Sequence, residues 1–110
     1  MANTFKRKLS RAIGATATQV GTYAVPSATT TIVIGLTVTN TSGSAISANV
    51  FINDGSANTS IVTTAPISSG SSLVLVGGDQ KIVLETADSI YVQSSAASSI
   101  DVVMSIMEST

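Results

Sequence analysis

The chain reads as an all-β protein: an antiparallel β-sandwich of about eight strands, immunoglobulin-like or jelly-roll-like, preceded by a basic N-terminal arm. Three observations predict this. Apolar residues recur at every second position over long stretches, the period at which side chains fall on one face of a strand. Clusters of Gly, Pro, Asn, Asp and Ser separate those stretches at hairpin-like intervals. Helical spacing of apolar residues is confined to the first few residues of the chain.

The elements follow in order. Residues 1–14 hold Lys6, Arg7, Lys8 and Arg11, four of the five basic residues. Phe5, Leu9, Ala12 and Ile13 lie at helical spacing, so a short helix over 5–13 is the expectation for this arm, and the sandwich proper takes residues 15–110. A first short strand fits 16–24 and ends before Pro26. Across 31–39, Ile32, Ile34, Leu36 and Val38 share one face, and Thr31, Val33, Gly35, Thr37 and Thr39 the other. After the turn Asn40-Thr41-Ser42-Gly43, Ile46, Ala48, Val50 and Ile52 alternate with Ser47, Asn49 and Phe51. Asn53-Asp54-Gly55 then closes a tight hairpin, because Asx side chains cap a turn and Gly accepts positive φ. Shorter runs at 59–64, 71–76, 81–86 and 89–94 are broken by Pro66 to Gly70 and by Gly77-Gly78-Asp79. The last strand sets Ile100, Val102, Met104 and Ile106 against Asp101, Val103, Ser105 and Met107.

At 110 residues, 44% of them hydrophobic, there is one domain with a sufficient core, built from roughly twenty Ile, Val and Leu side chains. Absence of Cys, His and Trp removes thiol nucleophiles, imidazole acid/base groups, zinc clusters and disulfides. The net charge of −1 conceals an uneven distribution: residues 12–110 carry Lys81 against six acids, so a basic arm precedes an acidic body. Neither a secretory signal peptide nor a membrane span is expected, since no apolar run is long enough for one.

Candidate chemistry is sparse. Asp79, Glu85 and Asp88 lie close together, but at turns and strand starts where Asp is ordinary. Asp54 with Asn53 lacks the spacing of a calcium loop, and Gly77-Gly78 lacks the helix and Lys-Ser/Thr pair of a phosphate cradle. The many Ser and Thr have no base to activate them, and Lys81 suits a strand-blunting role. A shallow sugar site would have only Tyr23, Tyr91, Phe5 and Phe51 to draw on. Hence no catalytic, cofactor or metal residues are expected, and the chain is expected not to be an enzyme. Contact residues are a different matter. Phe5, Lys6, Arg7, Lys8, Leu9 and Arg11 are the candidate docking set, apolar anchors among steering charges. Phe51, Tyr91, Val103 and Met107 interrupt otherwise hydroxyl-bearing faces and are candidate interface residues; Val33, Val62 and Val83 interrupt them too.

The segments FKRKLSRAIG, VPSATTTIVIGLTVTNTSGSAISANV, NDG, API and GSSLVLVGGDQKIVLETADSIYVQSSAASSIDVVMSIME together resemble small virion structural proteins of tailed bacteriophages, the marine and cyanobacterial type in particular. The resemblance implies a non-enzymatic subunit present in many copies on a particle, at neck or collar, tail or as capsid decoration. Its partners would be copies of itself and other virion proteins, its location the virion, with nucleic acid and membrane not expected. The alternative is a receptor- or glycan-binding module on the same particle. A bacterial adhesion or pilus-like domain is a third reading, which would call for a secretion signal.

Overall fold

The computed structural model describes residues 2–77 and 80–110. Among them are nine strands: β1 (Asn3–Ile13), β2 (Thr18–Gln19), β3 (Thr30–Asn40), β4 (Ile46–Asn53), β5 (Asn58–Ile67), β6 (Ser72–Val76), β7 (Ile82–Leu84), β8 (Ser89–Ser94) and β9 (Ile100–Ser109). One 3-10 turn, Val20–Thr22, follows β2. All pairings are antiparallel. A five-stranded sheet runs β1-β9-β3-β6, with β7 also pairing with β3 beyond β6, and a four-stranded sheet runs β2-β8-β4-β5. The expected antiparallel sandwich is therefore present.

Its core is where the alternation places it. Leu36, Val38, Ile100, Val102, Met104 and Ile106 from the larger sheet meet Val50, Ile90 and Val92 from the smaller one, all almost fully buried. Ile46, Ala48 and Val50 point inward as their spacing requires.

Two expectations need correcting. Residues 5–13 form neither a helix nor an arm leaving the sandwich. They belong to β1, an eleven-residue edge strand aligned on β9 from Asn3 opposite Ser109 to Ile13 opposite Ile100. The 1–14/15–110 boundary thus divides a sheet, not an arm from a domain. The reason is that Phe5 and Leu9, read at helical spacing, also share one face of a strand, and β9 offers a ladder of hydrogen bonds that a short isolated helix lacks.

The second correction is in β3. Its register on β9 shifts between Val33 and Gly35, a β-bulge that places Ile34 and Gly35 on the same side. Before the bulge Thr31 and Val33 are buried; after it Leu36 and Val38 are. Ile32 and Ile34 therefore do not share a face with Leu36 and Val38 but turn to the outside of the sheet.

A polar cluster ties β1 down. Glu108 accepts a hydrogen bond of 2.6 Å from the Tyr23 hydroxyl at Oε2 and an ion pair of 2.9 Å from Lys6 Nζ at Oε1. The Tyr23 hydroxyl also lies 2.7 Å from Thr31 Oγ1, and the Lys8 ammonium sits 4.9 Å from the Tyr23 ring centroid. Ser10 Oγ accepts the Gly21 N–H at 2.8 Å. Gly21 has φ +61°, and a Cβ there would lie 2.6 Å from Lys8 Cβ, so only glycine lets the 3-10 turn approach the strand so closely.

Candidate assembly surface

Register and burial together define the outer face of the five-stranded sheet. Phe5 pairs with Met107, Met107 with Ile32, and Ile32 with Val83, giving one apolar row across β1, β9, β3 and β7. A second row runs Leu9, Val103, Thr37, Val74 across β1, β9, β3 and β6. Between them lie Arg7, Ser105 and Gly35. Among the described residues the large hydrophobic side chains with the most exposure are Phe5 (71%), Val74 (63%), Val83 (60%) and Val103 (53%), and all four stand in these two rows. The bulge in β3 builds this face by adding Ile32 and Ile34 to it.

The outer face of the smaller sheet differs in character. Phe51 and Tyr91 are register partners, stacked with ring centroids 5.6 Å apart and planes 4° from parallel. Around them stand Asn49, Asn53 and Gln93. Asn49 Oδ1 accepts the Thr64 N–H at 2.7 Å, and Gln93 Nε2 donates to the Ala15 carbonyl at 2.8 Å, so these amides serve the fold.

The residues singled out in the sequence are therefore dispersed. Phe5, Arg7, Leu9, Val103 and Met107 share the outer face of the larger sheet, while Phe51 and Tyr91 lie on the opposite side of the molecule. Lys6 and Lys8 turn inward to Glu108 and Tyr23. Arg11 is exposed at a register shift in β1 where Ala12 N–H donates to Asp101 Oδ1 at 3.0 Å. Val33 is buried, because the bulge turns it inward. Tyr23 is buried as well and offers no ring to a sugar. Sequence reasoning missed Val74 and Ile32 as surface residues; the signal for Ile32 was its neighbour Gly35, a common marker of a bulge within a strand.

The acids occupy structural positions. Asp54 Oδ1 accepts the N–H groups of Ser56 and Ala57 at 3.0 and 2.9 Å, which holds its carboxyl below the usual range. Asp88 Oδ2 accepts the Glu85 N–H at 2.9 Å. Asp79 and Gly78 lie outside the described residues. The hydrogen bond from Tyr23 and then the Lys6 bond lower the Glu108 pKa, while burial and the bond to Glu108 push the Tyr23 hydroxyl up to about 12. Among the described residues there is no cavity and no group of three or more acidic side chains placed to hold a metal. No helix among them is long and apolar enough to cross a membrane.

The sheet edges are blunted. β1 carries Lys6, Arg7, Lys8 and Arg11 and ends in an irregularity at Ala12, whose φ is 53°. β5, the edge of the smaller sheet, carries Pro66 and the left-handed Thr64, φ 51°. β2, β6 and β7 are short. Charge, proline, bulges and shortness are the ways by which sheets discourage edge-to-edge pairing.

No protein-family model and no curated protein matches this chain. A solved structure of Bacillus endospore appendages, described as a novel family of disulfide-linked pili, shares the fold with a TM-score of 0.59 at 18% identity, over 98% of this chain and 88% of that one. This overturns the expectation of a tailed-phage virion protein, both as an assembly part at neck, tail or capsid and as a receptor- or glycan-binding module of the particle: the neighbour is a bacterial surface appendage. The turn and strand-start patterns that carried the resemblance are ones any hydroxyl-rich sandwich of alternating strands can share. Virion proteins as partners lose their support with it.

Proposed function

We propose that the chain is a non-enzymatic structural subunit that assembles with copies of itself into a bacterial surface appendage. The observation that carries this reading is the fold it has in common, along nearly its whole length, with a pilus-forming protein. Two features of the chain support it. Its most exposed large hydrophobic side chains are gathered on one sheet face rather than scattered, as interaction surfaces are, and the carboxylates of Asp54, Asp88, Asp101 and Glu108 are engaged in hydrogen bonds that serve the fold. One difference from the neighbour follows from composition: with no cysteine, this chain's contacts are not disulfide-linked, and assembly through non-covalent contacts depends on concentration and is reversible.

The test is light scattering of the purified full-length protein across a dilution series, with electron microscopy of the concentrated end. Concentration-dependent oligomers or filaments that dissociate without reductant are expected. A monomer at every concentration up to the millimolar range would overturn the reading.

A further inference from the structure

We propose that the outer face of the five-stranded sheet is a self-complementary interface, and that its occupant is the same face of a second copy, packed with β1 of each chain over β6 and β7 of the other. This rests on the assembly reading above and names the surface of its first step, the pairing of two copies; a two-fold contact closes at a dimer, so a filament takes a second contact as well.

The extent of the face is the first argument. Four strand positions at about 4.8 Å, by ten residues of β9 at about 3.4 Å, give a footprint of roughly 650 Å². Stable complexes start at roughly 600 Å² per partner, so the face is large enough to sustain a dimer alone. The second argument is its composition. The apolar rows fill its interior, whereas the four free edges are blunted and the opposite face carries a single aromatic pair among amide side chains.

The third argument fixes the arrangement. Two sheets packed face to face keep their strands nearly aligned, which leaves two kinds of two-fold axis in the sheet plane. An axis across the strands would set β1 over β1 and bring the two Arg7 guanidiniums together inside the contact, two like charges deprived of water. An axis along the strands sets β1 over β6 and β7 instead. Phe5 then stands over Val83 of the second copy, Leu9 over Val74, Met107 over Ile32 and Val103 over Thr37, large side chains meeting smaller ones in each row. Arg7 falls between the two rows of the facing sheet, at the level of the side-chain-free Gly35, and its guanidinium reaches the rim.

Because the chain has no cysteine of its own, introduced thiols report the geometry directly. Full-length Phe5→Cys and Val83→Cys proteins are oxidised separately and mixed, and Val103→Glu is measured by light scattering beside wild type. Val103 is half exposed, so the charge is tolerated in the monomer; circular dichroism checks this, and Val74→Glu serves as a second variant. The expected result is a disulfide heterodimer in the mixture well above that from either protein alone, with dimerisation of Val103→Glu weakened at least about a hundredfold. Wild-type assembly with no preferential cross-link, and Val103→Glu assembling normally, would overturn the face while leaving self-assembly intact. A monomeric wild type would overturn both. A monomer that sediments with phosphatidylglycerol vesicles through this face would assign it to a lipid surface and likewise overturn the proposal.

Discussion

Replacing Tyr23 by Phe removes one oxygen atom and leaves the buried ring in place. That oxygen holds Thr31 of β3 and Glu108 of β9 at 2.7 and 2.6 Å, so its loss strands a hydroxyl and half of a carboxylate in a site where both are largely shielded from water. Hydrogen bonds to charged partners contribute about 1.5–3 kcal/mol, and Glu108 keeps Lys6 on its other oxygen, so about 2 kcal/mol is expected at pH 7. For a domain of this length that corresponds to roughly 10 °C in Tm. The pH dependence identifies the cause. The folded-state pKa of Tyr23 is raised to about 12 from 10.0, so its contribution is fully present below pH 10 and is lost as pH rises towards 12. Allowing for solvent at the open side of the cluster, that shift corresponds to about 2 kcal/mol. Urea unfolding of both proteins from pH 7 to 12 should therefore show a stability gap that closes as the wild-type phenol ionises. A gap below about 0.5 kcal/mol at pH 7, or one that stays constant to pH 12, would refute the reasoning.

The acid limb tests the same cluster from the other side. Glu108 has a lowered pKa in the folded state, so its contribution is present above the ordinary carboxylate range and is lost as pH falls through the lowered value. Glu108→Gln should flatten the decline of stability in acid, at a cost of about 1 kcal/mol near neutrality, read from urea midpoints between pH 2 and 7. A chain beginning at Ala15 would lack β1, opening the hydrogen-bonding edge of β9 and unpairing Glu108. It should lose cooperative thermal unfolding by circular dichroism; a chain that melts like wild type would restore the idea of a dispensable arm.

Much of this architecture was legible in the sequence because most strands obey a single rule. From Ile46 to Val50 in β4 and from Ile100 to Ile106 in β9 every second residue is apolar and buried, so period two located core and surface together. In β3 the same rule failed halfway. Its bulge is an agreement between two strands, and β9 supplies the other half of it, so Thr31 to Val38 alone cannot show that Ile32 and Ile34 leave the core. Strand β1 was obscured for a related reason. Its inward residues are Thr4, Lys6, Lys8 and Ser10, paired across from Glu108, Ile106, Met104 and Val102. Such polar residues can face inward because Tyr23, Glu108 and the Gly21 turn, distant in sequence, give Lys6, Lys8 and Ser10 partners at the rim of the core. The docking set was chosen for charge, and half of those charges proved to be internal ties. The apolar rows that form the candidate surface run across strands from both halves of the chain, and become visible only once the register is known.

Gly21 gives β1 a property that its own pairing pattern cannot. A strand whose inward side is polar has little to prevent it from slipping along its neighbour. The backbone of Gly21, pressed against Lys8 on one side of β1, and the Lys6–Glu108 pair oppose displacement along the strand axis. In a polymer in which the Phe5 and Leu9 face is one of the links, tension through that link would act on β1 as shear. The long ladder to β9 would then bear the force across many hydrogen bonds at once instead of opening them one by one, and the small contact at Gly21 would serve as a mechanical stop.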